Sequence, residues 1–210
     1  MAGKRTTLAV FFSGSGSTLQ NLVDRIRDGK LNAKIEWTLS SRKGVGGIEK
    51  SERAGIPCVV LPRKDYDSHE AYSQAINRRL EENPVDLVVL AGFMFLYHFP
   101  ESYRGRAMNI HPALIPSFCG KGMYGHHVHE AVLASGVKVT GATVHLVDEE
   151  YDHGPIILQE TLPVLEDDTP DTLASRVQAL ERELYPKAIQ LFAEGRLRAE
   201  GNRVRVLPAL

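Results

Sequence analysis

Two cysteines, Cys58 and Cys119, are all that this chain of 210 residues contains. Neither belongs to a paired, closely spaced set, which speaks against a disulfide framework or a cysteine-built metal knuckle and fits a reducing compartment. Net charge is equally scarce: 25 basic residues face 26 acidic ones, leaving −1 at neutral pH. Without a global basic field the chain has no general attraction for nucleic acid or for an anionic membrane, and the expected partners are small molecules. Near the N-terminus, after Lys4 and Arg5, the apolar run Leu8–Phe12 is five residues long, too short for a signal-peptide core or a membrane span. A cytoplasmic location is expected. Repeats, low-complexity tracts and linkers are missing, and a composition of 43% hydrophobic and 24% charged residues is that of an ordinary globule. The length suits one large α/β domain or two smaller subdomains.

What is present is strand and helix in alternation. The run Leu8–Phe12 reads as a strand buried on both faces. Ser13-Gly14-Ser15-Gly16-Ser17-Thr18 follows, then Leu19, Leu22, Val23 and Ile26 at helical spacing. Strand, glycine loop and helix in this order aim free backbone N–H groups and a helix dipole at one point, where phosphate is the natural guest. The loop is neither a dinucleotide fingerprint, since Leu19 stands where the third glycine would fall, nor a P-loop, since no Gly-Lys-Ser/Thr occurs. A ligand-free strand-to-helix turn is the alternative. Further strands are expected at Ile35–Leu39, Cys58–Leu61 and Val85–Ala91, with helices from Gly46 to Ala54 and after a capping box of Asp67 and Glu70. The pattern predicts an α/β fold with a Rossmann-like, mostly parallel sheet and helices on both faces. Ligands then gather beyond the carboxyl ends of the strands, on the edge shared by the glycine loop, Gly92–Tyr97 and a fifth strand's end.

That end reads Asn109-Ile110-His111-Pro112, with Pro116 four residues on. Alternation puts Asn109 and His111 on one side of an extended segment, and the prolines turn the chain out of any ladder. An amide able to donate to an oxyanion, two residues from an imidazole able to move a proton, is half of an acyl-transfer site. The same residues also serve as caps and turn formers. Past Gly120 a glycine-rich loop leads to His126-His127-Val128-His129 at a helix start, where only His126 and His129 share a face, so a polar cleft lining is expected rather than a metal site. Val139–Val147 and Ile156–Leu158 read as strands around an acidic loop, Asp148–Pro155. Thr169-Pro170-Asp171 opens a helix that is disturbed at Pro186 and ends by Gly195, with Glu181 as a rim charge. A hairpin turning at Gly201-Asn202 closes the chain.

Together these motifs resemble the phosphoribosylglycinamide formyltransferases over nearly the full length. The resemblance rests on Ser13–Ser17 with Leu19-Gln20, Leu90–Met94, Asn109–Pro112, Asp152 before Gly154-Pro155, and Arg176-Val177-Gln178 with Glu181 and Tyr185-Pro186. It implies one formyltransferase domain over 1–210, with a phosphate-binding half, 1–105, and a folate and catalytic half, 106–210. It implies formyl transfer from 10-formyltetrahydrofolate, the co-substrate, to the amine of 5-phosphoribosylglycinamide in purine biosynthesis, without a metal. Asn109, His111 and Asp152 match the catalytic trio, with Asp152 holding His111 charged. Gly16, Ser17, Thr18 and Glu181 match ribonucleotide contacts. His69, Met94, Phe95, Leu96, Tyr97, Asn109, Asp148 and Asp152 match the folate side. Phe95 and His69 stand where many members carry arginine, and the loop 117–125 is longer than the commonest version. Cys119 is not needed as a nucleophile, because the acceptor amine attacks. A monomer or homodimer is expected; a non-catalytic nucleotide-binding module is the competing class.

Overall fold

The structure, a computed structural model, describes residues 5–209. Met1–Lys4, part of the N-terminal reading, lie outside the described residues. The chain forms two compact units, Met1–Met108 and Asn109–Leu210.

In the first unit, β1 (Thr6–Phe12), β2 (Ala33–Ser40), β3 (Cys58–Val60) and β4 (Leu87–Leu90) lie in the order β3-β2-β1-β4, every pairing parallel. Leu8 to Phe12 are wholly buried, so both faces of β1 are covered, as the unbroken apolar run demands. Each such side chain contributes roughly 1.5–3 kcal/mol relative to exposure. The connections are α1 (Ser17–Arg27), α2 (Gly46–Arg53) and α3 (His69–Glu82). The cap of α3 differs from expectation: Ser68, not Asp67, takes the N-cap, its side chain accepting from the Ala71 amide. Ser68 has the extended backbone an N-cap requires, which moves the helix start one residue on.

Chain continuity through β5 (Ala107–His111) leads into the second unit, which holds α4 (His126–Ser135), β6 (Val139–Leu146), β7 (Ile156–Pro163), α5 (Pro170–Ala193), β8 (Leu197–Glu200) and β9 (Arg203–Val206). Here the ladder is largely antiparallel: β6 with β7, and β8 with β9 across the predicted turn, while β7 and β9 meet in parallel. Helix α5 packs on β6, β7 and α4. Its start is the expected one, Thr169 forming a reciprocal box with Thr172 and Pro170 in the first turn. Contrary to the expected disturbance, α5 runs through Pro186 to Ala193. An interior proline costs about 3 kcal/mol, and buried Leu184, Tyr185, Ala188 and Ile189 around it offset that loss. Among the described residues no helix is long and apolar enough to cross a membrane.

Gly141 in β6 allows a close strand approach: a Cβ there would collide with the Glu160 carbonyl oxygen and come 2.8 Å from Leu114. We expect Gly141→Ala to lower unfolding free energy by about 2 kcal/mol, read as a lower urea midpoint at unchanged m-value. An unchanged midpoint would show that β7 yields freely.

Candidate active site

Within the second unit Asn109 and His111 leave the end of β5 on one side of the strand, and Asp152 meets them from the loop between β6 and β7. Asp152 Oδ1 accepts from Asn109 Nδ2 at 3.3 Å. Its Oδ2 accepts from the Gly120 amide at 3.0 Å and lies 3.4 Å from His111 Nδ1. On its other side the His111 ring donates from Nε2 to the Phe118 carbonyl at 2.8 Å. His111 is 3% exposed and Asp152 11%, so these contacts are made almost out of water. The expected trio is brought together.

Backbone conformation marks the same spot independently. Among the described residues, Phe118 (φ 51°) and Asp152 (φ 53°) are the non-glycines with positive φ. Each such residue costs on the order of 1–3 kcal/mol, and such strain collects at functional sites. Phe118 meets His111 at Nε2 and Asp152 faces it at Nδ1.

The proline loop is fastened from beneath. Thr143 of β6 donates through Oγ1 to the Ala113 carbonyl at 2.7 Å and accepts from the Ile115 amide at 3.1 Å. Gln159 of β7 adds a donation to the Ile115 carbonyl at 2.8 Å. Rigid strands thereby hold the turn after His111. His145, two residues further along β6, was not singled out from the sequence. It is 1% exposed, donates from Nδ1 to the Leu146 carbonyl at 2.8 Å, and faces Asn109 Nδ2 with Nε2 at 3.2 Å. The one titratable side chain in this strand was the available signal.

Burial pushes His111 below its ordinary pKa, outweighing the Asp152 carboxylate and the Phe118 carbonyl, which both favour the charged ring. Asp152 does pull His111 toward the charged form, as expected of it, but burial acts more strongly in the opposite direction and favours the neutral ring. For Asp152 burial opposes ionisation, yet the His145 ring, His111 when protonated and the Gly120 amide together hold its carboxyl below the usual range. Cys119 donates weakly to the Pro116 carbonyl, and burial followed by the Asp152 charge pushes its thiol up. A thiol so held is a poor nucleophile.

Histidines 126 to 129 have separate surroundings. His126 lies 3.5 Å from Asp171 and His127 3.5 Å from Glu130, whereas His129 is buried. Among the described residues no three His, Cys, Asp or Glu side chains are grouped as metal ligands. Glu181, partly exposed on α5, has its carboxyl pushed up to about 7 by burial. Arg176 donates to Asp168 at 2.6 Å and to the Pro163 carbonyl at 2.8 Å, tying the start of α5 to the end of β7.

In the first unit, Gly16 caps α1 in the left-handed region (φ 71°) with no side-chain cap. Ser17 and Thr18 follow it, so the first-turn amides have no capping side chain. A Cβ on Gly16 would also stand 2.6 Å from Gly47 Cα. Ser13 organises the loops around it: its hydroxyl meets that of Ser41 at 2.6 Å and accepts from the Met94 amide at 3.0 Å, while its amide donates to the Gly92 carbonyl at 3.1 Å. The predicted gathering of the loops after β1 and β4 is thus observed, with the loop after β2 joined to them.

Of the segment expected on the folate side, Met94, Phe95 and Leu96 are half-buried. Tyr97 is 1% exposed, its hydroxyl donating to Asn77 at 2.6 Å. Its side chain belongs to the core, leaving its backbone for any ligand. Phe95 packs edge-on against Phe93 and Tyr72, and the Arg63 guanidinium lies 5.8 Å from the Tyr72 ring centre. Arg63 Nε and His69 Nδ1 are buried without hydrogen-bond partners. Arg63 was not anticipated, being one of many surface-like cations in the sequence. Asp148 accepts from His153 Nδ1 at 2.7 Å and from the Glu150 amide at 3.0 Å, bracing the acidic loop.

Residues 6–189 match the formyl transferase family. The chain is 36% identical to the phosphoribosylglycinamide formyltransferase of Escherichia coli (strain K12), over 93% of this chain and 91% of that protein. It is 44% identical over 95% of its length to the trifunctional purine biosynthetic protein adenosine-3 of Bos taurus, of which it spans 19%. The crystal structure of glycinamide ribonucleotide transformylase 1 from Symbiobacterium toebii superposes with a TM-score of 0.89 at 42% identity, covering 98% of this chain and 96% of that one. With the fold, the Asn-Ile-His-Pro strand end and the Asp152 loop all accounted for, the chain belongs to the formyl transferase family.

Proposed function

We propose that this chain transfers the formyl group of 10-formyltetrahydrofolate to the amine of 5-phosphoribosylglycinamide, giving formylglycinamide ribonucleotide and tetrahydrofolate in purine biosynthesis in the cytoplasm. The observation that carries the reading is the Asn109–His111–Asp152 cluster, built on two strained residues that address both nitrogens of one buried imidazole.

The amides following Gly16, at Ser17 and Thr18, hold the phosphate of the acceptor, and Glu181 accepts from its polar groups. Met94 to Tyr97, with Asp148 to Asp152, border the folate. Arg63 Nε and His69 Nδ1 supply the unpaired donors that an anionic tail requires, a fit for the carboxylates of the folate.

As the acceptor amine attacks the formyl carbon, a C–N bond forms and negative charge develops on the formyl oxygen. Asn109 Nδ2 turns one of its N–H groups, now shared between Asp152 and His145, toward that oxygen. His111 starts neutral with its proton on Nε2. The proton shed by the attacking amine reaches the free Nδ1 lone pair by way of the Asp152 carboxylate, giving an imidazolium that Asp152 stabilises at Nδ1 and that can release its other proton from Nε2. That proton then goes to the folate nitrogen as its bond to the formyl carbon breaks. For Nε2 to reach reacting groups, the Phe118 carbonyl must withdraw, and the strained φ of Phe118 favours that release.

Purified protein should release deformylated folate from 10-formyltetrahydrofolate only when 5-phosphoribosylglycinamide is present. Release without the ribonucleotide would assign a hydrolase instead, and no release with either would move the reading to a nucleotide-binding module. Asp152→Asn, which tolerates the left-handed backbone, is expected to cut turnover by about 10²–10⁴-fold while leaving ribonucleotide binding nearly intact. Equal turnover in mutant and parent would refute the role given to Asp152.

The charge relation yields a further outcome. Because Asp152 raises the His111 pKa against burial, Asp152→Asn should move the His111 midpoint further down in an NMR titration. The sign for stability follows: with the folded pKa below the unfolded value of about 6.5, the unfolded chain binds more protons as pH falls, so stability drops below that pH. The drop from His111 should be steeper in the mutant between about pH 7 and 5.5, where both carboxylate states remain ionised. An upward shift of the His111 midpoint would reverse the argument.

A further inference from the structure

The first unit carries a recess whose lining includes none of the loop residues Ser13–Thr18, although Lys50 on its border donates to the Ser15 carbonyl of that loop. It has a volume of about 610 Å³ and runs between α1 and α2 over the start of β2. Its bed is aliphatic: Val23 and Ile26 of α1, Ile35 of β2, and Ile56 before β3. Ile35 is buried, but Val23, Ile26 and Ile56 keep part of their apolar surface exposed. Contact of Gly16 with Gly47 pins the two helices together at the loop end.

Four cations surround this bed: Arg27, Lys34, Lys50 and Arg53. Two are already neutralised, Arg27 by Asp24 at 3.3 Å and Asp28 at 3.2 Å, and Lys34 by Glu36 at 2.7 Å. Lys50 donates only to the Ser15 carbonyl, and Arg53 has no carboxylate partner among the described residues. Both lie on α2 beside Glu49 and Glu52, with which they form no close ion pair among the described residues. The one uncharged polar side chain in the lining, Gln20, donates to Asp24 at 3.1 Å.

We propose that this groove binds an amphipathic anion with a single aliphatic chain, of the fatty carboxylate class, its head on Lys50 and Arg53 and its chain on Val23, Ile26, Ile35 and Ile56. The volume lies within the roughly 300–1,000 Å³ typical of small-molecule sites. No aromatic side chain lines it, so a nucleobase or pterin has nothing to stack on. Its one neutral directional polar group, Gln20, is already engaged by Asp24, which leaves little to read a sugar or peptide. What remains is two cations without close carboxylate partners beside an aliphatic bed, the complement of a charged head on a saturated tail.

The test uses the full chain and sodium dodecanoate below its micelle concentration, followed by calorimetry, with dodecyltrimethylammonium as the probe of opposite charge. One saturable dodecanoate site per chain is expected, with the cationic probe binding far more weakly. Arg53→Glu, an exposed position, should weaken dodecanoate about tenfold by reversing one charge at the head. Ala54→Trp, at the exposed rim, should fill the groove and abolish binding, with both variants melting at the parent temperature. Glycinamide ribonucleotide should not displace the probe. The proposal falls if no saturable site is found, if the cationic probe binds equally well, if both variants keep parent affinity, or if the ribonucleotide competes.

Discussion

The second unit's chemistry depends on one constraint: the carboxylate of Asp152 held at a left-handed backbone position, φ 53°, almost out of solvent. A buried charge is tolerated only when it is paired and hydrogen-bonded. Asp152 meets the hydrogen-bonding part of that condition through the Gly120 amide and the Asn109 amide group, and the His111 ring lies beside it at 3.4 Å, ready to pair with it once protonated. The same contacts fix the rotamers of Asn109 and His111 and bring the loop around Gly120 into place. Removing the carboxylate would therefore alter the charge preference of His111, the orientation of Asn109 and the anchoring of that loop together.

How much of this could be read in advance follows from the kind of information each residue carries. The run Leu8–Phe12 signals a strand buried on both faces through its composition alone, and Thr169-Pro170-Asp171 signals a helix start through local hydrogen bonding. Asn109 and His111 were legible because strand alternation sets their common side and Pro112 ends the ladder. Asp152 entered through family resemblance, since nothing local in an acidic loop says which carboxylate turns inward. His145 was overlooked for a related reason: its partners, Asn109 and the Leu146 carbonyl, are a matter of tertiary geometry. The role of the Phe118 carbonyl was out of reach, because a backbone oxygen has no sequence signature. The shift of the α3 cap from Asp67 to Ser68 shows the ordinary one-residue uncertainty at helix ends.

Small hydroxyl residues do much of the positioning, and they too are silent in a sequence. Ser13 ties the loop after β1 to those after β2 and β4 with three hydrogen bonds, and Thr143 with Gln159 fastens the proline turn after His111. Each bond contributes only about 1 kcal/mol to stability, but leaving a buried partner unmet costs about 1–3 kcal/mol. Their arrangement is thus selective for one loop conformation more than it is stabilising.

The resting state of His111 is best understood as a balance between burial and two acceptors. Burial favours the neutral ring, while the Phe118 carbonyl and Asp152 each favour a proton on the nitrogen they face. A neutral ring has one proton for two acceptors. With Nε2–H committed to Phe118, the Nδ1 lone pair faces a carboxylate oxygen at 3.4 Å, a contact that improves as soon as a proton arrives there. The free protein is in this sense poised to accept a proton, and the energy that desolvation withholds from the charged ring is returned when negative charge develops nearby. A base so placed remains unprotonated until reaction begins and becomes a good acid once it has, which is the behaviour that formyl transfer between two nitrogens requires.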